Sequence, residues 1–210
     1  METNESSLIP DPRSPIPDLV ENRIHVVILR HPQEQDALLG TAQIAHQQLK
    51  NSVLKTGLSW PSLKRLLDRE VDPKRWAVLF LGTGAKRPAT GKPGTAPPLT
   101  LVDRNGQPLP DQAECLARLE GIILLDGSWA QAKALWWRNA WMLKCRRLIL
   151  SPPFRSAYGK LRKEPKREAL STIEAAAFTL STLENNSGLY EQILTPFRTM
   201  LEKAQAKKDL

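Results

Sequence analysis

Cysteine is scarce in this chain of 210 residues, with only two, Cys115 and Cys145. They stand in no metal-ligand spacing, so neither a cysteine-built metal site nor a disulfide framework is expected. Long apolar runs are missing as well. None approaches the roughly 20 residues a bilayer-spanning helix needs, and no membrane association is expected. Met1 to Ile9 is polar and acidic, the wrong composition for a secretory signal, so a cytoplasmic location is expected. No internal repeat occurs. Acids are outnumbered, 22 Asp and Glu against 30 Lys and Arg, leaving a net charge of +8 and a pI near 9.7. That balance points toward a polyanionic partner. Apolar residues make up 41% and charged residues 25%, which suits a globular chain with one sizeable core.

Read in order, residues 1–22 carry Pro10, Pro12, Pro15 and Pro17 with little to bury, and are expected to be a disordered leader. A domain of 23–210 follows. His25 to Leu29 reads as its first strand, and Pro32 keeps His31 out of helical backbone. His31 and Glu34 then lie at a strand's carboxyl end, as ligand contacts or as ordinary loop polar groups. Ala37 to Lys50 reads as a helix with Leu38, Ala42, Ala45 and Leu49 on its apolar face. Ser52 to Trp60 is ambiguous, with a short strand possible, and Pro61 to Asp68 fits a short helix with Pro61 in its first position. Trp76 to Leu81 is a buried strand ending in Gly82-Thr83-Gly84, which lacks the full dinucleotide-binding glycine spacing. Residues 85–98, rich in Gly, Pro and Lys, read as a mobile loop. Leu99 to Val102 reads as a short strand and Asp111 to Leu119 as a helix.

The centre of the chain is Gly121-Ile122-Ile123-Leu124-Leu125-Asp126-Gly127-Ser128-Trp129. Ile122 to Leu125 shows no alternation, as expected of a parallel strand covered on both faces. Asp126 falls at its carboxyl end, where open α/β sheets place ligands. Gly127 admits a close approach of backbone or ligand, and Ser128 with Gln131 has capping-box spacing. An ordinary strand-to-helix turn accounts for the same four residues. Beyond it, Ala130, Ala134, Trp137 and Trp141 share one helical face, so Trp137 and Trp141 are expected in the core. Trp129 stands apart, in the first turn beside Asp126.

Arg146 to Leu150 reads as the next strand and ends in Ser151-Pro152-Pro153. The most basic stretch follows, with Arg155, Lys160, Arg162, Lys163, Lys166 and Arg167 against Glu164 and Glu168. Ser156 and Tyr158 are interleaved with them. Such a loop can hold phosphates by charge and a base by stacking, or it can be a solvated basic loop. Ser171-Thr172-Ile173-Glu174 is a second capping box, opening a helix from Ala175 to Leu183. A last helix is expected from Tyr190 to Lys207.

Strand–helix alternation over this length predicts an α/β fold with a mostly parallel sheet flanked by helices. The motifs add a resemblance. Asp126-Gly127-Ser128-Trp129, Ser156-Ala157-Tyr158 with Leu161-Arg162-Lys163 and Pro165, and Leu170-Ser171-Thr172-Ile173-Glu174-Ala175 stand in the order and spacing of the DTW-domain family. His31-Pro32-Gln33-Glu34 and Gly40-Thr41 are similar to that family's opening motif. The resemblance covers roughly Ile24 to Leu183 and implies a SPOUT-like, knotted fold. It also implies a tRNA-uridine aminocarboxypropyltransferase, which uses S-adenosylmethionine (SAM) to alkylate uridine N3. The chain departs from the family in lacking a cysteine-rich N-terminal segment, in Ser128 for Thr, and in Ala157 for Pro.

On that resemblance tRNA is the partner and SAM the co-substrate, with no metal and no protein partner implied. Asp126 is the expected catalytic residue, as general base, as an orienting acceptor for N3–H, or as the holder of SAM's ammonium. Leu81, Gly82, Thr83, Leu125, Gly127, Ser128, Trp129, Leu150, Ser151, Ser171 and Thr172 are expected to hold SAM. His31, Glu34, Ser156, Tyr158, Arg162, Lys163, Lys166 and Arg167 are expected to bind substrate, with Tyr158, Arg162 and Lys163 holding either the tRNA or the carboxylate of SAM. A SPOUT-type RNA methyltransferase and a non-catalytic RNA-binding module remain the alternatives.

Overall fold

The computed structural model describes residues 19–34, 40–79, 97–154, 156 and 170–206. Most of the leader, the chain from 80 to 96 and most of the basic loop lie outside them. So do the expectations placed on Leu81, Gly82, Thr83, Tyr158, Arg162, Lys163, Lys166 and Arg167, and those on Leu38 and on residues 85–96 of the expected 85–98 loop.

Among the described residues six strands form one sheet: β1 (His25–Arg30), β2 (Ser52–Thr56), β3 (Trp76–Leu79), β4 (Leu99–Val102), β5 (Gly121–Asp126) and β6 (Arg146–Leu150). Their order is β2-β1-β5-β3-β6-β4, with every neighbour parallel except the antiparallel edge strand β4. The helices are α1 (Thr41–Gln48), α2 (Leu63–Leu67), α3 (Gln112–Ala117), α4 (Trp129–Arg138), α5 (Thr172–Leu183) and α6 (Ser187–Ala206). The α/β architecture expected from the alternation of elements is therefore present, with a mixed sheet.

The unbroken apolar strands are explained by two cores, one on each face. Successive side chains of a strand point to opposite faces. Val26, Ile28, Ile122 and Leu124 thus pack with Ala45 of α1, Phe178 of α5 and Phe197 of α6. Val27, Leu29, Ile123 and Val78 pack with Leu63 and Leu66 of α2 and Leu135 of α4. The alternation also sends Arg30 and Asp126 to the α5 face, because both share parity with the first set.

Two expectations need correction. Trp137 is 79% exposed, whereas Ala132 and Leu135 carry the buried stripe of α4. The helical period does not run on to Trp141, because α4 ends at Arg138 and Trp141 lies in a separate 3-10 turn, Ala140–Lys144. Asn139 marks the break. Its side chain donates to the carbonyls of Leu58 and Leu135 and accepts from Trp60 N–H and Trp141 Nε1. Trp141 itself is buried, as expected. The second correction is at Pro61, which lies outside α2 rather than in its first position. Ser62 is the cap, its hydroxyl accepting from Arg65 N–H at 3.1 Å. The ambiguous stretch after Asn51 resolves into β2, and Val20 and Asn22 at the end of the expected leader are buried, Val20 bridging to Leu49.

Candidate functional site

The connections of a doubly wound sheet diverge where strand order reverses, and ligands bind at the carboxyl ends of the strands there. In this chain β2 lies to one side of β1, while β5 and then β3 lie to the other. The carboxyl ends of β1 and β5 meet at that point.

Asp126 is the last residue of β5 and the register partner of Arg30, the last residue of β1. The residue is only 8% exposed, unusual for a carboxylate, and both side-chain oxygens are engaged. Arg30 Nε donates to Oδ2 at 2.9 Å, and Thr172 Oγ1 donates to Oδ1 at 2.6 Å. The backbone is tied as well, since His31 N–H donates to the Asp126 carbonyl at 3.0 Å. Thr172 is the first residue of α5, so the positive end of that helix also faces the carboxylate. Three segments far apart in sequence therefore fix one anion.

The start of α5 carries a second buried acid. Ser171 is its N-cap, closing a capping box with Glu174. Glu174 Oε2 accepts from Ser171 N–H at 2.8 Å, Ser171 Oγ at 2.6 Å and Ser156 Oγ at 2.8 Å. Ser156 is thereby tied to the helix that also holds Asp126. Ser171 and Thr172, adjacent in sequence, have separate partners: the first binds Glu174, the second Asp126.

The turn after Asp126 has a structural reason for its glycine. Gly127 has φ +146, and a Cβ there would stand 2.8 Å from Gln131 Oε1. That oxygen accepts from Ser128 N–H at 2.6 Å, while Ser128 Oγ accepts from Gln131 N–H at 3.4 Å, the capping box expected from the spacing. Trp129 is half-buried as the first residue of α4. Leu125 and Leu150 are half-buried, each packed against one of the two cores. Ser151 offers no backbone donor to a ligand, since its N–H is bound to the Pro98 carbonyl at 2.9 Å. His31 is buried, and its Nδ1 accepts from Gln33 N–H at 3.2 Å. The proton of a neutral ring then sits on Nε2. Glu34 N–H donates to the His31 carbonyl at 3.0 Å, which turns the chain immediately after β1.

Arg30 is the contact that reading the sequence missed. Its signal was present: a cation closing a strand of six residues that is otherwise largely apolar, one position before His31-Pro32. Register with β5 supplies its meaning, and register is set by tertiary pairing.

A recess of about 510 Å³ lies elsewhere, at the amino ends of the strands, lined by Arg23, His25, Asn51, Arg69, Arg75, Ala117, Leu119 and Glu120. Its arginines are engaged structurally, Arg75 with Glu120 at 2.7 Å and Arg69 over the Trp76 ring at 5.8 Å. The buried, helix-facing carboxylate of Asp126 is at the other end of the sheet. Among the described residues no cluster of His, Cys, Asp or Glu is arranged to hold a metal ion, and no helix is long and apolar enough to cross a membrane.

A family model described as "DTW domain" matches residues 12–205. Among characterised proteins, the chain is 26% identical over 182 residues to tRNA-uridine aminocarboxypropyltransferase 2 of Macaca fascicularis, covering 84% of this chain and 53% of that protein. The Drosophila melanogaster protein of the same name is 27% identical over 188 residues, 88% of this chain and 65% of its own length. A shorter match, 37% over 79 residues, links 38% of the chain to 26% of the Mus musculus protein of that name. The chain thus spans less than two thirds of each of these relatives. No solved structure gives a significant match.

Proposed function

The chain belongs to the DTW-domain family, and from that premise we propose that it transfers the 3-amino-3-carboxypropyl group of SAM to N3 of a uridine in tRNA. The observation that carries this reading is Asp126, buried at the carboxyl edge of the sheet between Arg30 and Thr172. The names of the relatives in macaque and fly support the choice of reaction.

The residues present fit a SAM-like donor in their chemistry. Arg30 and Asp126 form an ion pair whose side chains keep 21% and 11% of their exposure. Such a pair is complementary to the carboxylate and ammonium of an amino acid. Trp129 offers a flat ring for adenine or uracil, a contact worth about 1–3 kcal/mol per base. When bound, SAM supplies a carbon made electrophilic by its sulfonium. The reaction joins that carbon to uridine N3, breaks its bond to sulfur, releases methylthioadenosine and frees the N3 proton.

Asp126 is the acceptor for that proton. A carboxylate has about four acceptor positions, and Arg30 and Thr172 occupy two of them. The two donors fix the carboxylate's orientation, leaving the remaining lone pairs for N3–H. General-base catalysis of this kind contributes about 10²–10⁴-fold. The net charge of +8 suits a tRNA substrate. Within the same reading Tyr158, Arg162, Lys163, Lys166 and Arg167 hold the RNA, the fold is SPOUT-like with a knot, and the location is cytoplasmic.

The deciding experiment uses SAM labelled in two places. Purified protein and tRNA should incorporate label from the carboxyl carbon of SAM and none from its methyl group, with methylthioadenosine as by-product. Methyl label in the RNA, accompanied by S-adenosylhomocysteine, would overturn the assignment in favour of an RNA methyltransferase.

A further inference from the structure

Trp137 is the most exposed large apolar side chain among the described residues, at 79%, on the helix that begins directly after Asp126-Gly127-Ser128. It lies nearly opposite Leu135, which is fully buried, so nothing in the packing of α4 calls for an indole there. A lone apolar ring in water is common on protein surfaces, and what distinguishes this one is the charge around it. From Gly127 to Phe154 the sequence contains no Asp or Glu and five Lys or Arg. Lys133, one helical turn before Trp137, is exposed, as are Arg138 and Lys144 beyond it. Trp129, at the catalytic end of the helix, lies eight residues before Trp137, about 12 Å along the axis at 1.5 Å per residue.

Resting on the reading of this chain as a tRNA-modifying enzyme, we propose that the outer face of α4 is an RNA-binding track. Trp137 stacks on an unpaired base, and Lys133 and Arg138 contact the phosphates on either side of it. Aromatic rings between cations bind single-stranded nucleic acid in this way, because every base has a face to stack and every linkage a charge. An acidic protein partner would find the cations but would gain less from an isolated indole. A second copy of the chain would bring equally basic surface against this one. The track leads away from Asp126 along α4, so it selects RNA with an unpaired nucleotide that reaches Trp137, about 12 Å along the helix from Trp129.

The test measures binding of unmodified tRNA to the full chain by fluorescence anisotropy, without SAM. Trp137→Ala should raise Kd about tenfold or more, and Trp137→Phe, which keeps a ring, should stay within about threefold of wild type. Lys133→Ala should lower the slope of log K against log salt by about one, the loss of one phosphate contact. Because Trp137 is exposed, circular dichroism of Trp137→Ala should match wild type. An unchanged Kd in folded Trp137→Ala would overturn the track while leaving the transferase reading intact. Loss of self-association in sedimentation, with Kd unchanged, would overturn it and assign the face to a second copy. If the wild-type chain binds no tRNA at all, the track and the substrate reading fall together.

Discussion

Arg30 and Asp126 are register partners at the ends of adjacent parallel strands, and their side chains close an ion pair at 2.9 Å on the face covered by α5. The pair does two things. It neutralises a carboxylate that is otherwise buried, and it fixes which lone pairs remain available. Arg30→Met should therefore destabilise the fold by about 1–3 kcal/mol, the cost of leaving a partly buried charged group short of a partner. The figure stays below the 3–5 kcal/mol of a fully buried pair because both side chains retain some exposure. Urea unfolding measures it. Wild-type stability together with wild-type turnover in Arg30→Met would show the pair to be dispensable.

Ser171 and Thr172 separate stability from chemistry at consecutive positions. Ser171→Ala removes the cap of α5 and one donor to the buried Glu174, and should cost about 1–2 kcal/mol of stability. Thr172→Val keeps the shape and removes the hydrogen bond to Asp126, so it should lower single-turnover rate about tenfold or more. Thr172→Ser should restore most of that rate. If Thr172→Val turns over like wild type, the hydroxyl does not position the carboxylate.

The fold was legible in outline because its signals are local. Buried strands, Asp-Gly-Ser with Gln131, and Ser171 with Glu174 each declare themselves within a few residues, and each forms as expected. What was not legible depended on partners distant in sequence. Arg30 acquires its role only through register with β5, 96 residues away. Trp141 stands beyond a helical period that stops at Arg138, where Asn139 reaches back to Leu58, 81 residues earlier. Gly121 is similar. Its missing Cβ makes room for the Trp76 ring of the neighbouring strand, which no feature of the local sequence announces.

His25 supplies a test of the opposite end of the sheet. Burial first, and the Arg69 charge second, lower its pKa from the ordinary 6.5. Its Nε2 is buried without a partner, and its ring lies 5.6 Å from that of Trp76. A histidine with a depressed folded-state pKa binds fewer protons when folded than when unfolded. Stability is then greatest above pH 6.5 and declines as pH falls from there toward the folded-state pKa. His25→Phe should flatten the decline, measured by urea midpoints between about pH 7 and 5. His46, lowered by burial in the same direction, should leave a residual slope. An undiminished slope in His25→Phe would show that His25 does not contribute to it.

Asp126→Asn is the most informative substitution because it keeps the size of the side chain and removes its charge. The amide oxygen can still accept from Arg30 or Thr172, so the carboxyl edge of β5 should remain in place and the variant should fold. The amide cannot take up a proton from N3. If Asp126 is the proton acceptor, single-turnover aminocarboxypropyl transfer should fall by at least about a hundredfold with tRNA binding nearly unchanged. Asp126→Glu distinguishes a requirement for charge from a requirement for position. Its longer arm keeps the carboxylate but moves it away from the place where Arg30 and Thr172 hold it, so a comparable loss would mean that orientation matters as much as basicity. A folded Asp126→Asn chain that transfers the group at the wild-type rate would remove Asp126 from the reaction. Arg30 and Thr172 would then be holding a structural anion.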